Sequence, residues 1–400
     1  MHFSSRLVLM LAACASLHTP SFAVEAVKPA RDDEVIEVLP AVTSQRPPAK
    51  ASRSKPPAPG AAEAARIALQ DISVARQTGD TRYWGRAQSV LAPWWDKPDA
   101  PADLAVLQAT VQQGRHEFDT SRVVLTATLA RTPGHAQGWL NLASLERLSG
   151  RYAESLVACE AVGRAGQGSA ALYAEACRLE TASLQGRQAQ AVKGFQALLD
   201  QTRDAGQRSW LLSLAAENLE RYGQDAAAAR AYAASLAAEH DLYTAIAFSD
   251  LLLRTGKNAE ALKLLTPLPA TDAVVLRMAT AHKRLGDTGW QAERAVLTTR
   301  VDELRRRGDD VGLHGRELAL AALWLDEDAP AALAFARTNL RLQREPVDWW
   351  VALKSARLAN DSAALAELQG SLKASGLQDV RLMTQTLAPA GAGKGAGVQR

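Results

Sequence analysis

The side chains that could do chemistry are scattered rather than clustered. The seven histidines stand at 2, 18, 116, 135, 240, 282 and 314, and none has the spacing of a metal-binding helix such as H-E-x-x-H. No serine occupies a G-x-S-x-G elbow. The acidic run Asp326-Glu327-Asp328 reads as a helix N-cap. Arg305-Arg306-Arg307 reads as a helix C-terminus, where positive charge is favoured by the macrodipole. His135 and His240 fall in inter-helix turns and read as solvated loop residues. An enzyme needs convergent polar groups held by a rigid shell. No catalytic residue, metal site or cofactor is therefore expected. Gly391-Ala392-Gly393-Lys394-Gly395 is not a phosphate loop, because no strand precedes it.

Cys159 and Cys177 fall on adjacent predicted helices. They read either as two small buried residues or as a bridge, which needs Cα atoms about 4.4–6.8 Å apart. They lack the C-x-x-C spacing of a catalytic redox pair. The third cysteine, Cys14, belongs to the N-terminal segment. There, Arg6 precedes the apolar stretch Leu7 to Leu17, and Ser21-Phe22-Ala23 supplies small residues at −3 and −1 of a cleavage site. Residues 1–23 thus read as a secretory signal peptide. A competing reading takes Leu11-Ala12-Ala13-Cys14 as a lipobox-like motif with a lipid anchor at Cys14. Either way the expected location is outside the cytoplasm: periplasmic, or on an outer-membrane lipoprotein facing the periplasm. No apolar run is long enough to span a bilayer as a helix.

Residues 24–60 carry proline at 29, 40, 47, 48, 56, 57 and 59 and no sustained apolar face, so they read as a disordered linker. Residues 386–400 read as a disordered tail. The net charge is only +3, with both signs interspersed, which is no footprint for nucleic acid.

Between these ends a glycine recurs at 79, 114, 150, 186, 223, 256 and 286, with spacings of 35, 36, 36, 37, 33 and 30 residues. A period in this range implies stacked supersecondary units. After four of these glycines a small residue follows at +5 (Ser155, Ala191, Ala228, Ala261) and a larger one at +9 (Cys159, Phe195, Tyr232, Leu265). In residues 136–165, Trp139, Leu142, Ala143 and Leu145 lie on one helical face, Gly150 suits a left-handed C′ position, and Tyr152, Leu156, Cys159 and Val162 form a second apolar face. The small residue at 155 lets the two helices approach closely. Such a hairpin cannot bury both faces alone, so its neighbours must stack on it.

Ala136 to Ser169, with Trp139, Leu142, Ala143, Gly150, Tyr152, Ser155, Cys159 and Val162, resembles a tetratricopeptide repeat (TPR). Unit 102–135 matches through Ala109, Phe118, Ser121, Leu125 and Pro133. Units 172–205, 209–241 and 242–271 match through their glycine, +5 and +9 residues. The resemblance implies a TPR array over 61–271 and TPR-like helical repeats over 272–385, where Gln291 already breaks the small-residue slot. It implies an all-α, right-handed superhelical solenoid of antiparallel helix pairs, about eight to nine hairpins. It also implies a concave groove lined by the first helix of each pair. Carried onto this sequence, that groove presents Gln137, Arg147, Tyr173, Trp210, Glu217, Arg221, Tyr243, Asp250 and Arg254, with Thr110, Ser144, Glu180 and Ser183 beside them. The carboxylate clamp of chaperone-binding members is excluded, because Val106 and Thr110 stand where it needs lysine and asparagine. The expected function is a non-enzymatic scaffold that binds an envelope protein or peptide in the groove. The alternative is an outer-membrane lipoprotein recruiting cell-wall or envelope-polymer machinery.

Overall fold

The computed structural model describes residues 59–387, with the exception of residue 167. Residues 1–23, read above as a signal peptide with Cys14 as an alternative lipid-anchor site, lie outside the described residues, as do nearly all of the expected linker and most of the expected C-terminal tail. Within them the chain is all-α: nineteen α-helices and no strand.

The helices pair as consecutive antiparallel hairpins: α1 (Ala61–Thr78) with α2 (Arg82–Leu91), α3 (Ala102–Gly114) with α4 (Phe118–Arg131), and α5 (Ala136–Leu148) with α6 (Tyr152–Ala165). Then follow α7 (Ala170–Leu184) with α8 (Gln188–Gln201), α9 (Ala205–Arg221) with α10 (Asp225–Ala238), and α11 (Leu242–Arg254) with α12 (Asn258–Leu265). The C-terminal pairs are α13 (Asp272–Leu285) with α14 (Trp290–Arg307), α15 (Gly315–Trp324) with α16 (Ala329–Asn339), and α17 (Pro346–Leu358) with α18 (Ser362–Ser375). The short α19 (Val380–Leu387) ends the series.

The turn chemistry follows from the recurring left-handed residue. Gly150, Gly186, Gly223, Gly256 and Gly286 all have positive φ. At each, the next amide reaches back five residues to close the first helix, as in Arg151 N–H to Glu146 O (2.8 Å) and Lys257 N–H to Leu252 O (2.8 Å). The +5 residues Ser155, Ala191, Ala228 and Ala261 and the +9 residues Cys159, Phe195, Tyr232 and Leu265 are fully buried at the helix crossings. Where the +5 residue is serine, its hydroxyl caps the crossing: Ser155 Oγ donates to Ala143 O at 2.9 Å.

Gly114 departs from the expected role. It ends α3 inside the helix, and the Trp84 ring packs where a Cβ would stand. The left-handed position passes instead to His116, with φ 64°. Counted from His116, Ser121 and Leu125 fall at +5 and +9, both fully buried, and Ser121 Oγ donates to Ala109 O at 2.9 Å. The same substitution extends the array beyond Gly286, through Glu327 and Asn360, each with φ 55°. Five and nine residues after Glu327, Ala332 and Ala336 are fully buried.

His135 is not a solvated loop residue. Its Nδ1 accepts from Gly138 N–H at 2.9 Å, capping α5, and its Nε2 lies 2.9 Å from Asp103. Aspartates do the capping elsewhere: Asp204 for α9, Asp241 for α11, Asp328 for α16 and Asp361 for α18.

The array is curled back onto itself. Tyr152 and Leu184, from the third and fourth hairpins, are buried in the same core as α15 to α18. Arg344 N–H donates to Leu148 O at 2.8 Å, and Gln378 N–H donates to Leu184 O at 2.7 Å. The side chains of Arg344, Gln378 and Val380 lie against Gly150, Gly186 and Gly223 respectively. The glycines therefore also give the C-terminal segment room to reach the turn edge of the array. On the opposite edge, Gly79 at the end of α1 abuts Thr271 and Leu242.

Candidate ligand-binding channel

The first helices of hairpins three to six, α5, α7, α9 and α11, share one wall of a cavity of about 950 Å³. Spacings of three and four residues put the lining side chains on one face of each helix: Ser144 and Arg147 on α5, Tyr173, Cys177 and Glu180 on α7, and Gln207, Trp210 and Glu217 on α9. Tyr243 opens α11. The curl completes the site. Arg76, in the last turn of α1, and Glu345, which precedes α17, line the same cavity.

Of the groove residues expected from the sequence, Arg147, Tyr173, Trp210, Glu217 and Tyr243 are brought together here. The other four are placed elsewhere, and each has a structural partner. Gln137 donates to Asn141 on its own helix at 2.8 Å. Arg221 is buried, donating to Ser183 Oγ at 2.9 Å. Asp250 accepts two bonds from Arg277, both at 2.7 Å, and Arg254 pairs with Asp225 (2.7 Å) and Glu220 (2.9 Å). Repeat position alone sets which face a residue takes. It does not say whether the next hairpin or the C-terminal segment covers it.

Two of the three aromatic rings on the wall are in contact. The Tyr173 and Trp210 rings meet at 5.3 Å between centroids. Tyr243 leaves 58% of its surface accessible, yet its hydroxyl is anchored on Glu217 Oε1 at 2.8 Å. Half-exposed aromatics held by neighbours are preorganised contact surface.

The electrostatics are one-sided. Six carboxyl groups line the cavity (Glu180, Asp204, Glu217, Glu239, Asp241 and Glu345) against two guanidinium groups, Arg76 and Arg147. Arg147 is committed to Glu180 at 2.9 Å. Arg221 approaches Glu217 from behind, at 3.4 Å. Burial pushes the Glu217 carboxyl above its ordinary range, and the nearby charges of Glu180 and Glu345 add to that push against the opposing pull of Arg221. Tyr243 is raised well above the usual phenol range, chiefly by the Glu217 charge that its hydroxyl faces.

Cys159 and Cys177 form a disulfide between α6 and α7, with Cα atoms 5.6 Å apart. Cys177 sits one helical turn from both Tyr173 and Glu180, so the bridge braces the channel wall. Among the described residues no group of three His, Cys, Asp or Glu side chains is placed to hold a metal ion. No helix among them is long and apolar enough to cross a membrane.

Sequence reasoning missed Arg76, Asp204, Glu239, Asp241 and Glu345 as channel residues. Asp204 and Asp241 had a signal, since each immediately precedes a first helix as its N-cap. Glu345 and Arg76 had none, because they arrive from opposite ends of the array.

No protein-family model matches this sequence, and no curated relative matches it. Among solved structures, a tetratricopeptide repeat protein from Parabacteroides merdae is similar over 68% of this chain and 98% of its own, at 11% identity and a TM-score of 0.36. The TPR domain of P58(IPK) is similar over 74% of this chain and 99% of its own, at 14% identity and a TM-score of 0.25. These structural neighbours are TPR repeat proteins. Superpositions at this level carry no argument about function, and the architecture rests on the hairpins described above.

Proposed function

We propose that this protein is a non-enzymatic interaction scaffold whose channel holds an extended peptide or a helix of a partner protein. The observation that supports the reading is the aromatic run Tyr173, Trp210 and Tyr243, presented by three successive first helices on one cavity wall. Aromatic side chains supply large contact area at low entropic cost, and they dominate interface energetics. With the signal-like residues 1–23, the reading places the scaffold in a bacterial envelope, with an envelope protein or peptide as partner.

The test compares crosslinked partners from envelope extract for the wild type, Trp210→Ala and Tyr243→Ala. Loss of a specific partner in both variants, with unchanged circular dichroism, supports the channel. A partner profile identical in all three proteins refutes it. The lipobox-like Leu11-Ala12-Ala13-Cys14 favours a second reading, an outer-membrane lipoprotein recruiting cell-wall or envelope-polymer machinery. Incorporation of labelled lipid that disappears in Cys14→Ser distinguishes the two.

A further inference from the structure

We infer that the channel's occupant is a basic peptide segment, its arginine or lysine stems lying on the Tyr173, Trp210 and Tyr243 surface and its charged ends reaching Glu180, Glu217 and the carboxyl groups beyond them. The inference rests on the reading of this cavity as the binding surface and adds the chemistry of what it takes.

Three observations converge on it. First, the carboxylates at the Glu217–Glu345 end of the channel are incompletely neutralised. Glu217 shares Arg221 at a long 3.4 Å, and its other oxygen is occupied by a neutral hydroxyl, that of Tyr243. The Glu345 carboxyl caps α17 and has one ion pair, to Arg316 at 2.5 Å, and that guanidinium also serves buried Asp348 at 2.7 Å. At the other end Asp204, Glu239 and Asp241 face a single cation, Arg76, which forms no ion pair with any described residue. A cationic ligand relieves this imbalance, whereas an acidic one adds to it.

Second, the negative groups do not converge on a point. No three of them are placed to hold one metal ion among the described residues. They are contributed instead by successive helices, Glu180 by α7, Glu217 by α9, with Asp204 and Asp241 capping α9 and α11. Charge distributed along a channel matches charge distributed along a chain. Packed helices lie roughly 8–10 Å apart, and an extended peptide advances about 3.3 Å per residue. Basic side chains recurring at about every third residue would therefore meet successive carboxylates.

Third, the apolar component of the wall includes three aromatic rings, beside Leu140, Leu148 and Leu214. Guanidinium and ammonium groups gain from ring faces as well as from carboxylates, and their methylene stems cover apolar surface. On α7 and α9 the aromatic residue lies two helical turns from the glutamate, Tyr173 from Glu180 and Trp210 from Glu217, so an aromatic row and an acidic row cross the same wall about 10 Å apart.

The deciding experiment selects binders from a random library of displayed short peptides on the full-length protein. Affinities of the selected peptides are then measured by fluorescence anisotropy for wild type, Trp210→Ala, Tyr243→Ala, Glu180→Gln and Glu217→Gln, each checked by circular dichroism. The expected result is enrichment of arginine and lysine among Trp210-dependent binders, with affinity about tenfold lower in Glu217→Gln and falling with added salt. Trp210-dependent binders that are neutral or acidic, or whose affinity is unchanged in both glutamine variants, overturn the basic-ligand inference and leave the channel reading standing. Binders that ignore both Trp210→Ala and Tyr243→Ala overturn the channel reading, and the inference with it.

Discussion

Reducing the Cys159–Cys177 bridge should loosen the middle of the array without unfolding its ends. The bridge closes a loop with a sequence separation of 18, and both cysteines are almost fully buried. For a loop of this length the chain-entropy model assigns the cross-link about 3 kcal/mol. In a repeat array stability is a sum of local and nearest-neighbour terms, so the loss should stay near α5 to α8. A difference of that size corresponds to roughly hundredfold faster amide exchange where opening is local. The assay is hydrogen exchange followed by mass spectrometry, with and without reductant, after a thiol count under denaturing, non-reducing conditions. Protection should fall in α6 and α7 and stay unchanged in α17 and α18. The double variant Cys159→Ala/Cys177→Ala should behave like the reduced protein. Two free thiols before reduction would refute the bridge. A verified bridge whose reduction leaves α6 and α7 protection unchanged would refute the entropic reasoning. Because α7 carries Tyr173 and Glu180, a loosened wall should also weaken channel binding.

Further predictions follow from other parts of the molecule. The Glu217 carboxyl is raised above its ordinary range in the folded state, so its contribution to stability is present at low pH and lost as pH rises through that raised value. Glu217→Gln should accordingly match or exceed wild-type thermal stability at neutral pH while weakening a basic ligand, and a destabilised variant would contradict this. By the same sign, wild-type affinity for a basic peptide should decline on acidification at a higher pH than an ordinary glutamate would give, measured by anisotropy across a pH series. Ala191→Leu inserts bulk at a fully buried helix crossing and should cost about 1–3 kcal/mol in denaturant titration. Asp348→Ala removes a buried carboxylate that accepts from Arg316 (2.7 and 2.8 Å), Asn339 (2.6 Å) and the Glu345 amide (2.9 Å). It should destabilise by about 3–5 kcal/mol, and a loss below 1 kcal/mol, by the same titration, would show that Glu345 and Gln343 suffice for Arg316.

Much of the hairpin architecture is legible in the sequence because each hairpin is specified within a short window. The left-handed turn residue, the small residue at the crossing and the larger one a turn later interact within one unit, so their spacing survives in the linear order. Gly114 misled for a local reason: the turn it seemed to mark lies two residues later, at His116, where a non-glycine takes positive φ. Glu327 and Asn360 hide two more turns in the same way. The channel was half legible. Tyr173, Trp210, Glu217 and Tyr243 could be placed from their helical positions. Arg254 and Asp250 could not be excluded, because the partners that occupy them, Asp225 and Arg277, lie on other helices.

What the sequence by itself determined is a series of antiparallel helix pairs with one face of each first helix turned to a common side. The tertiary structure alone decided how far the series curls. Curvature is the sum of small rotations between neighbouring hairpins, and no single window encodes that sum. The curl seats Arg344 and Gln378 on the turns at Gly150 and Gly186 and carries Glu345 and Arg76 to the two edges of the channel. It turns an open groove of mixed charge into a bounded, acidic and aromatic one.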